Sequence, residues 1–321
     1  MTLLIAGYTF DPLIDHTFSF DEAGFVTNST PQPDTGAPVL PRKTKPSGIF
    51  VVADSAITSG VEPLLAGYEK IYPIAVKLWM PQFTGDFFHK YASVCRETEI
   101  VVGFAGSTLM AQHYINNLTR HLSLLRISCK PQQRGPIQYV VLMHCEPNPL
   151  NDSDKSWGDD TFTSTAADGL LTADCISNIV LHSLERSVSN ARQDKISHAS
   201  FKTLLTPFIA GIQCPTTLCF RLYVFKMNCK TDAHGVVQVR VKKQLVSENA
   251  VAVLGLVKEF ESNAQTVYTN ARNEGEATEI AMRKFLNEAI DKVKQRGEKS
   301  IDYPTTLKVL DQNGLSRSFT R

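Results

Sequence analysis

Apolar positions follow two rhythms along this chain. Continuous apolar runs, which predict buried strands, occupy Thr2 to Phe10, Gly48 to Ala53 and Glu99 to Phe104. A helical rhythm follows from about Ser107 to Arg126, where Ala111, Ile115, Leu118, Leu122 and Leu125 recur at spacings of four and three. Ser107, after Gly106, suits its N-cap. A second helix spans about Thr172 to Ala191, with Ile176, Ile179, Val180, Leu184 and Val188 on one face. Strands return at Thr216 to Met227 and Val236 to Val246, joined by a turn at Asp232 to Gly235. Two more helices are expected at Val257 to Arg272 and Glu276 to Arg296. The chain closes with a strand at Pro304 to Leu310, a turn at Gln312-Asn313-Gly314 and a short last strand. Strands and helices grouped in this way predict a layered α+β structure rather than an alternating parallel fold.

Two stretches break the pattern. Residues 11 to 47 are rich in Pro, Thr, Ser and Asp, and residues 145 to 170 in Asp, Ser, Asn and Thr. Both read as irregular excursions from a single domain covering residues 1 to 321.

The chain has 321 residues, 43% of them apolar, enough for a sizeable core. Its 33 basic and 32 acidic residues leave a net charge of +1, with no basic stripe for nucleic acid. The seven cysteines are scattered and form no CxxC pair, and the eight histidines are dispersed. No metal site and no cofactor are therefore expected, and the cysteine usage fits a reducing cytoplasm. The start of the chain lacks signal-peptide features, and no apolar run reaches membrane-spanning length, so no membrane partner is expected.

Chemistry concentrates at strand ends. With Met1 removed, Thr2 would carry a hydroxyl and a free α-amine, a nucleophile and its base on one residue. Asp54 ends the second strand within Ala53-Asp54-Ser55. Lys70 stands in Gly67-Tyr68-Glu69-Lys70-Ile71. Gly103-Phe104-Ala105-Gly106 leads a strand into the first helix, where a backbone N–H is placed to bind an oxyanion.

In this order the four pieces resemble the proteasome β-subunit family of N-terminal nucleophile hydrolases. The resemblance covers most of the chain, with extra segments at about 11 to 47 and 130 to 170. It implies a four-layer αββα sandwich of two antiparallel sheets between helix pairs. It also implies roles: Thr2 as nucleophile, Lys70 lowering the hydroxyl's proton affinity, Asp54 holding Lys70, the Gly103 N–H as oxyanion donor, and Ser300 near the threonine amine. The implied substrate is a peptide or unfolded protein. The implied assembly is a homo-oligomer or ring, with an ATPase as a further partner.

The chain departs from the family pattern twice. Gly297 stands where the family has an aspartate, and Val253-Leu254-Gly255-Leu256-Val257 lacks the family's serine. The leading expectation is a threonine hydrolase cutting amide bonds. A non-catalytic scaffold or partner-binding subunit is the alternative, and an amidase for small acyl compounds a third reading.

Overall fold

The first strand is apolar without alternation because it is covered on both faces. In a computed structural model describing residues 2–11, 45–59, 62–65, 67–130, 137–152, 157, 161–191, 205–231 and 237–320, β1 (Leu3–Phe10) lies inside a five-stranded sheet. Its neighbours are β2 (Pro46–Asp54) and β12 (Ala252–Gly255), and β13 (Thr305–Asp311) and β14 (Gly314–Thr320) complete the sheet in the order β12-β1-β2-β13-β14. Leu3 and Ile5 face helices α3 (Val257–Glu274) and α4 (Thr278–Gln295), packing with Phe260, Met282 and Leu286. Leu4, Ala6 and Tyr8 face the other way, onto Ile209 and Leu222 of a second sheet.

That second sheet has seven strands: β5 (Ile71–Thr84), β6 (Phe87–Phe104), β7 (Leu125–Lys130), β8 (Gln138–Leu142), β9 (Phe208–Gln213), β10 (Phe220–Thr231) and β11 (Val237–Leu245), ordered β11-β10-β9-β6-β5-β7-β8. Its outer face carries α1 (Thr108–Ser123) and α2 (Ala173–Ala191), where Val76, Leu78 and Val102 meet Leu118, Ile176 and Leu184. Helix pair, sheet, sheet and helix pair thus stack around three apolar cores. A small pair, β3 (Ile57–Ser59) with β4 (Glu62–Leu65), stands apart.

Burying long apolar strands between two layers on each side removes most of their side-chain surface from water, at roughly 25 cal/mol per Å². Tyr8 also ties the sheets together through its hydroxyl, which accepts the Leu222 N–H at 3.0 Å and donates to the Val246 carbonyl at 3.0 Å.

The helix expectations hold closely. Ser107 caps α1, accepting the Met110 N–H. Helix α4 ends in a Schellman turn: Glu298 N–H bonds the Val293 carbonyl, Gly297 N–H bonds the Lys294 carbonyl, and Gly297 takes φ +77°. Several elements differ from the sequence reading. The first helix stops at Ser123, and Leu125 begins β7 instead of a further turn. Leu125, Ile127 and Cys129 are buried apolar residues at every second position of β7, a period-two signal masked by the preceding helical spacing, although Ser128 between them is buried as well. The long β5–β6 hairpin was expected only at its inner end. Its buried Ile74, Val76 and Leu78 alternate with half-exposed residues, whereas most of β6 before Ile100 is exposed or half-buried. Strands β9 and β12 also lay outside the sequence reading. The seven-stranded sheet is not wholly antiparallel, since β5 runs parallel to β7. The expected turn at 232 to 235, and most of the Pro-rich stretch at 11 to 47, lie outside the described residues.

Candidate active site

Asp54 ends β2 opposite Thr305 of β13, and it is 1% exposed. Its carboxylate joins three segments of chain. Oδ1 accepts the Leu3 N–H at 2.9 Å. Oδ2 accepts the Ala56 N–H at 3.0 Å and the Lys70 ammonium at 2.9 Å. Lys70, at 2% exposure, enters β5 from the turn before it. Ser55 holds that turn: its Oγ accepts the Gly67 N–H at 3.1 Å and its carbonyl accepts the Tyr68 N–H at 3.0 Å. The Ala53-Asp54-Ser55 step therefore both holds the lysine and fixes the loop that delivers it.

Removing two charges from water is costly, and only close pairing with further hydrogen bonds offsets it. Burial raises the Asp54 pKa and lowers that of Lys70, while their mutual attraction opposes both shifts. The lysine is thus a dry cation that gives up its proton more readily than a surface lysine does.

Thr2 is one peptide bond from Leu3, whose N–H Asp54 grips. Its carbonyl accepts the Leu256 N–H at 3.1 Å. Gly255 makes this approach possible. It has φ +89°, and a Cβ there would lie 1.7 Å from the Thr2 carbonyl oxygen. The Gly255 region, read from sequence as a turn without the family's serine, is the edge strand that clasps Thr2.

Thr2 lines a cleft of about 460 Å³ together with Gly106, Lys226, Asn228, Gly255 and Val257. Of the two glycines in the strand-to-helix step, Gly106 and not Gly103 lines this cleft. Gly103 lies inside β6, opposite Ile71 on one side and Ile209 on the other, and looks into the inter-sheet core. A Cβ there would come within 2.7 Å of Leu4 Cδ1, so this glycine serves close packing. Gly106 has φ +135° and stands just before the N-cap of α1. The N–H groups around it are occupied: Phe104 bonds the Lys70 carbonyl, Ala105 the Pro207 carbonyl and Ser107 the Thr206 hydroxyl. Among the described residues, the Gly106 N–H has no such partner. An unengaged N–H at a helix N-terminus favours negative charge.

Ser300 is buried after α4, and its Oγ has no hydrogen-bond partner among the described residues. It does not line the cleft with Thr2. The same loop reaches the site through Asp302, whose carbonyl accepts the Ser55 N–H at 3.3 Å. Gly297 is committed to its left-handed cap. Glu298 is exposed, 4.0 Å from Arg296, so it does not supply a buried carboxylate there.

Ser55 and Gly106 stand in the motifs read from sequence but carry no role there, and Lys308 lies outside that reading. Lys308 is fully buried on β13 and bonds the Glu69 carboxylate and the Ile71 carbonyl, placing a second buried cation beside the Lys70 turn. A lysine within the apolar run Thr305 to Leu310 was the signal for it.

Comparison with known protein families finds no family model that matches this chain, and comparison with curated proteins finds no match either.

Proposed function

We propose that the chain is an N-terminal threonine amidohydrolase of the kind its motifs resemble, acting on amide bonds of peptides or unfolded chains. Cleavage of the Met1–Thr2 bond frees the Thr2 α-amine. The Thr2 hydroxyl then attacks the substrate carbonyl, and its proton passes to that amine. The Gly106 N–H receives the oxyanion, a contact worth roughly 3 kcal/mol in comparable sites. The Lys70 cation stabilises the developing alkoxide and is held in place by Asp54. Collapse expels the substrate amine, which takes the proton from the Thr2 ammonium. A Thr2 ester remains for water to hydrolyse.

The observation that carries this reading is the buried Asp54–Lys70 pair, latched to the backbone beside a cleft-lining Thr2. The family resemblance adds a homo-oligomer as the working form, and the scattered cysteines fit the cytoplasm as its place. In the test, the processed chain is incubated with an epoxyketone or β-lactone and the adduct is mapped by mass spectrometry. Modification of Thr2 is expected, and its loss in Lys70→Ala. A folded protein with free Thr2 that takes no adduct overturns the hydrolase reading.

One observation favours the non-catalytic alternative. Gly297 stands at the family's aspartate position and is occupied with helix termination, which leaves the amine without that support. The same adduct experiment separates the two readings.

A further inference from the structure

A second chemical cluster lies on the helical layer against the seven-stranded sheet. His121 on α1, His182 on α2 and Cys145 in the segment after β8 bring one ligand atom each to within 4.8 Å of one another. Cys145 Sγ is 3.9 Å from His182 Nε2. The His144 ring lies 5.0 Å from that of His121, and its Nδ1 is buried with no hydrogen-bond partner among the described residues. His121 is about 14 residues along α1 from the cleft end, roughly 20 Å at the helical rise, so the cluster is separate from Thr2.

The hydrogen bonds prepare these side chains for an ion. The Ser183 hydroxyl has one proton and donates it to the Ile179 carbonyl at 2.7 Å. At its 2.7 Å contact with His121 Nδ1, Ser183 must therefore accept. That fixes His121 as the Nδ1–H tautomer and leaves the Nε2 lone pair free, the arrangement seen when a second partner orients a metal-ligating histidine.

The turn carrying His144 and Cys145 is held just as firmly. Arg126 donates to the Met143 carbonyl at 2.9 Å and to the Glu146 carbonyl at 3.0 Å. The Glu146 carboxylate accepts the Met143 N–H at 2.6 Å. Residues without helix or strand of their own are thus clamped so that Cys145 faces two helices.

We infer that His121, Cys145 and His182, with His144 as the fourth ligand, form a zinc site that staples the turn after β8 to α1 and α2. One thiolate with imidazoles is the donor set of tetrahedral zinc. Bonds of about 2.1 Å to nitrogen and 2.3 Å to sulfur place neighbouring donors roughly 3.5 Å apart. The Cys145–His182 separation, 3.9 Å, is already close to that, and the His121, Cys145 and His182 donors, within 4.8 Å of one another, close in by at most about 1.3 Å, while the His144 ring reaches the ion by turning from its place beside His121. Arg120 and Arg186 lie near enough to act on these rings. The thiolate is therefore the ligand that makes a dication acceptable here, and Cys145 dominates the affinity. Cys145 and His182 are half-buried, which leaves the ion a way in.

The test uses the full chain with any affinity tag removed. Zinc bound after dialysis is measured by elemental analysis, and cobalt substitution is followed by absorption. About one zinc per chain is expected, with a thiolate-to-cobalt charge-transfer band. Cys145→Ser is expected to lose that band and bind at least tenfold more weakly. Cys175→Ser, at a half-buried cysteine outside the cluster, should bind like the parent. In the unmutated protein, zinc should protect Cys145 selectively from alkylation, a readout that does not depend on a variant folding. Less than about a tenth of an equivalent of bound zinc overturns the proposal. So does Cys145→Ser binding zinc as well as the parent, or Cys145 alkylating at the same rate with and without zinc.

Discussion

Replacing Lys70 by Met probes the centre of the candidate active site. The substitution keeps a long side chain but removes the cation from a pair in which neither side chain exceeds 1% exposure. Asp54 then keeps two backbone donors and loses its counter-charge. Breaking a buried pair by deleting one partner typically costs about 3–5 kcal/mol, and that range is expected for Lys70→Met at pH 7. The sign of its pH dependence follows from Asp54, whose folded pKa burial already raises and which loses its main opposing influence in the variant. An acid with a raised folded pKa is most stable below its unfolded value of about 3.9, and loses stability as pH rises through the folded value. The deficit relative to the parent should therefore shrink on acidification, by up to about 1.4 kcal/mol per pH unit for one proton. The double variant Asp54→Asn/Lys70→Met removes both charges and should be more stable than Lys70→Met alone. Urea denaturation from pH 4 to 8 measures all three proteins. A Lys70→Met cost below about 1 kcal/mol, or a double variant less stable than the single one, refutes the account of a dry, mutually dependent pair.

Gly255→Ala should cost more than about 3 kcal/mol by thermal denaturation, because its Cβ would overlap the Thr2 carbonyl at 1.7 Å and the φ of +89° disfavours any side chain. Gly106→Ala should cost about 1–3 kcal/mol and slow adduct formation at Thr2, since its Cβ would meet Thr206 Cα at 3.2 Å with φ at +135°. Gly103→Ala, at ordinary φ with a movable Leu4 methyl as its closest neighbour, should leave the adduct rate nearer that of the parent. If Thr2 acts with its own amine as base, the rate of adduct formation should fall as pH drops below about 8, the ordinary α-amine value, and a flat profile between pH 6 and 9 would contradict that role.

How far the sequence could be read depended on the range of the interaction. Asp54 and Lys70 were found as candidates because each stands at the mouth of a strand in a short, ordered motif, and the structure joins them at 2.9 Å. Sequence does not distinguish Gly103 from Gly106, because both glycines sit in one strand-to-helix step. Separating them needs the ladder, in which Gly103 pairs with Ile71 and Ile209 while Gly106 emerges at the cleft. Strand β7 was hidden because Leu122 and Leu125 continue a helical spacing across a chain that has already turned. The apolar run around Lys308 marks a buried lysine but does not announce its partner Glu69, 239 residues away.

What the bare chain dictated was burial: which segments are apolar on both faces, which carry one helical stripe, and where a serine cap starts a helix. These depend on residues within a turn or two of one another, so local spacing carries them. The tertiary structure alone selected which polar groups share a site. It turned Gly297 from a missing aspartate into a required helix stop, and brought Cys145 and His182 together across 37 residues that no spacing rule connects. Contacts between layers are set by how sheets and helices stack, and the linear pattern records only that each face must be covered.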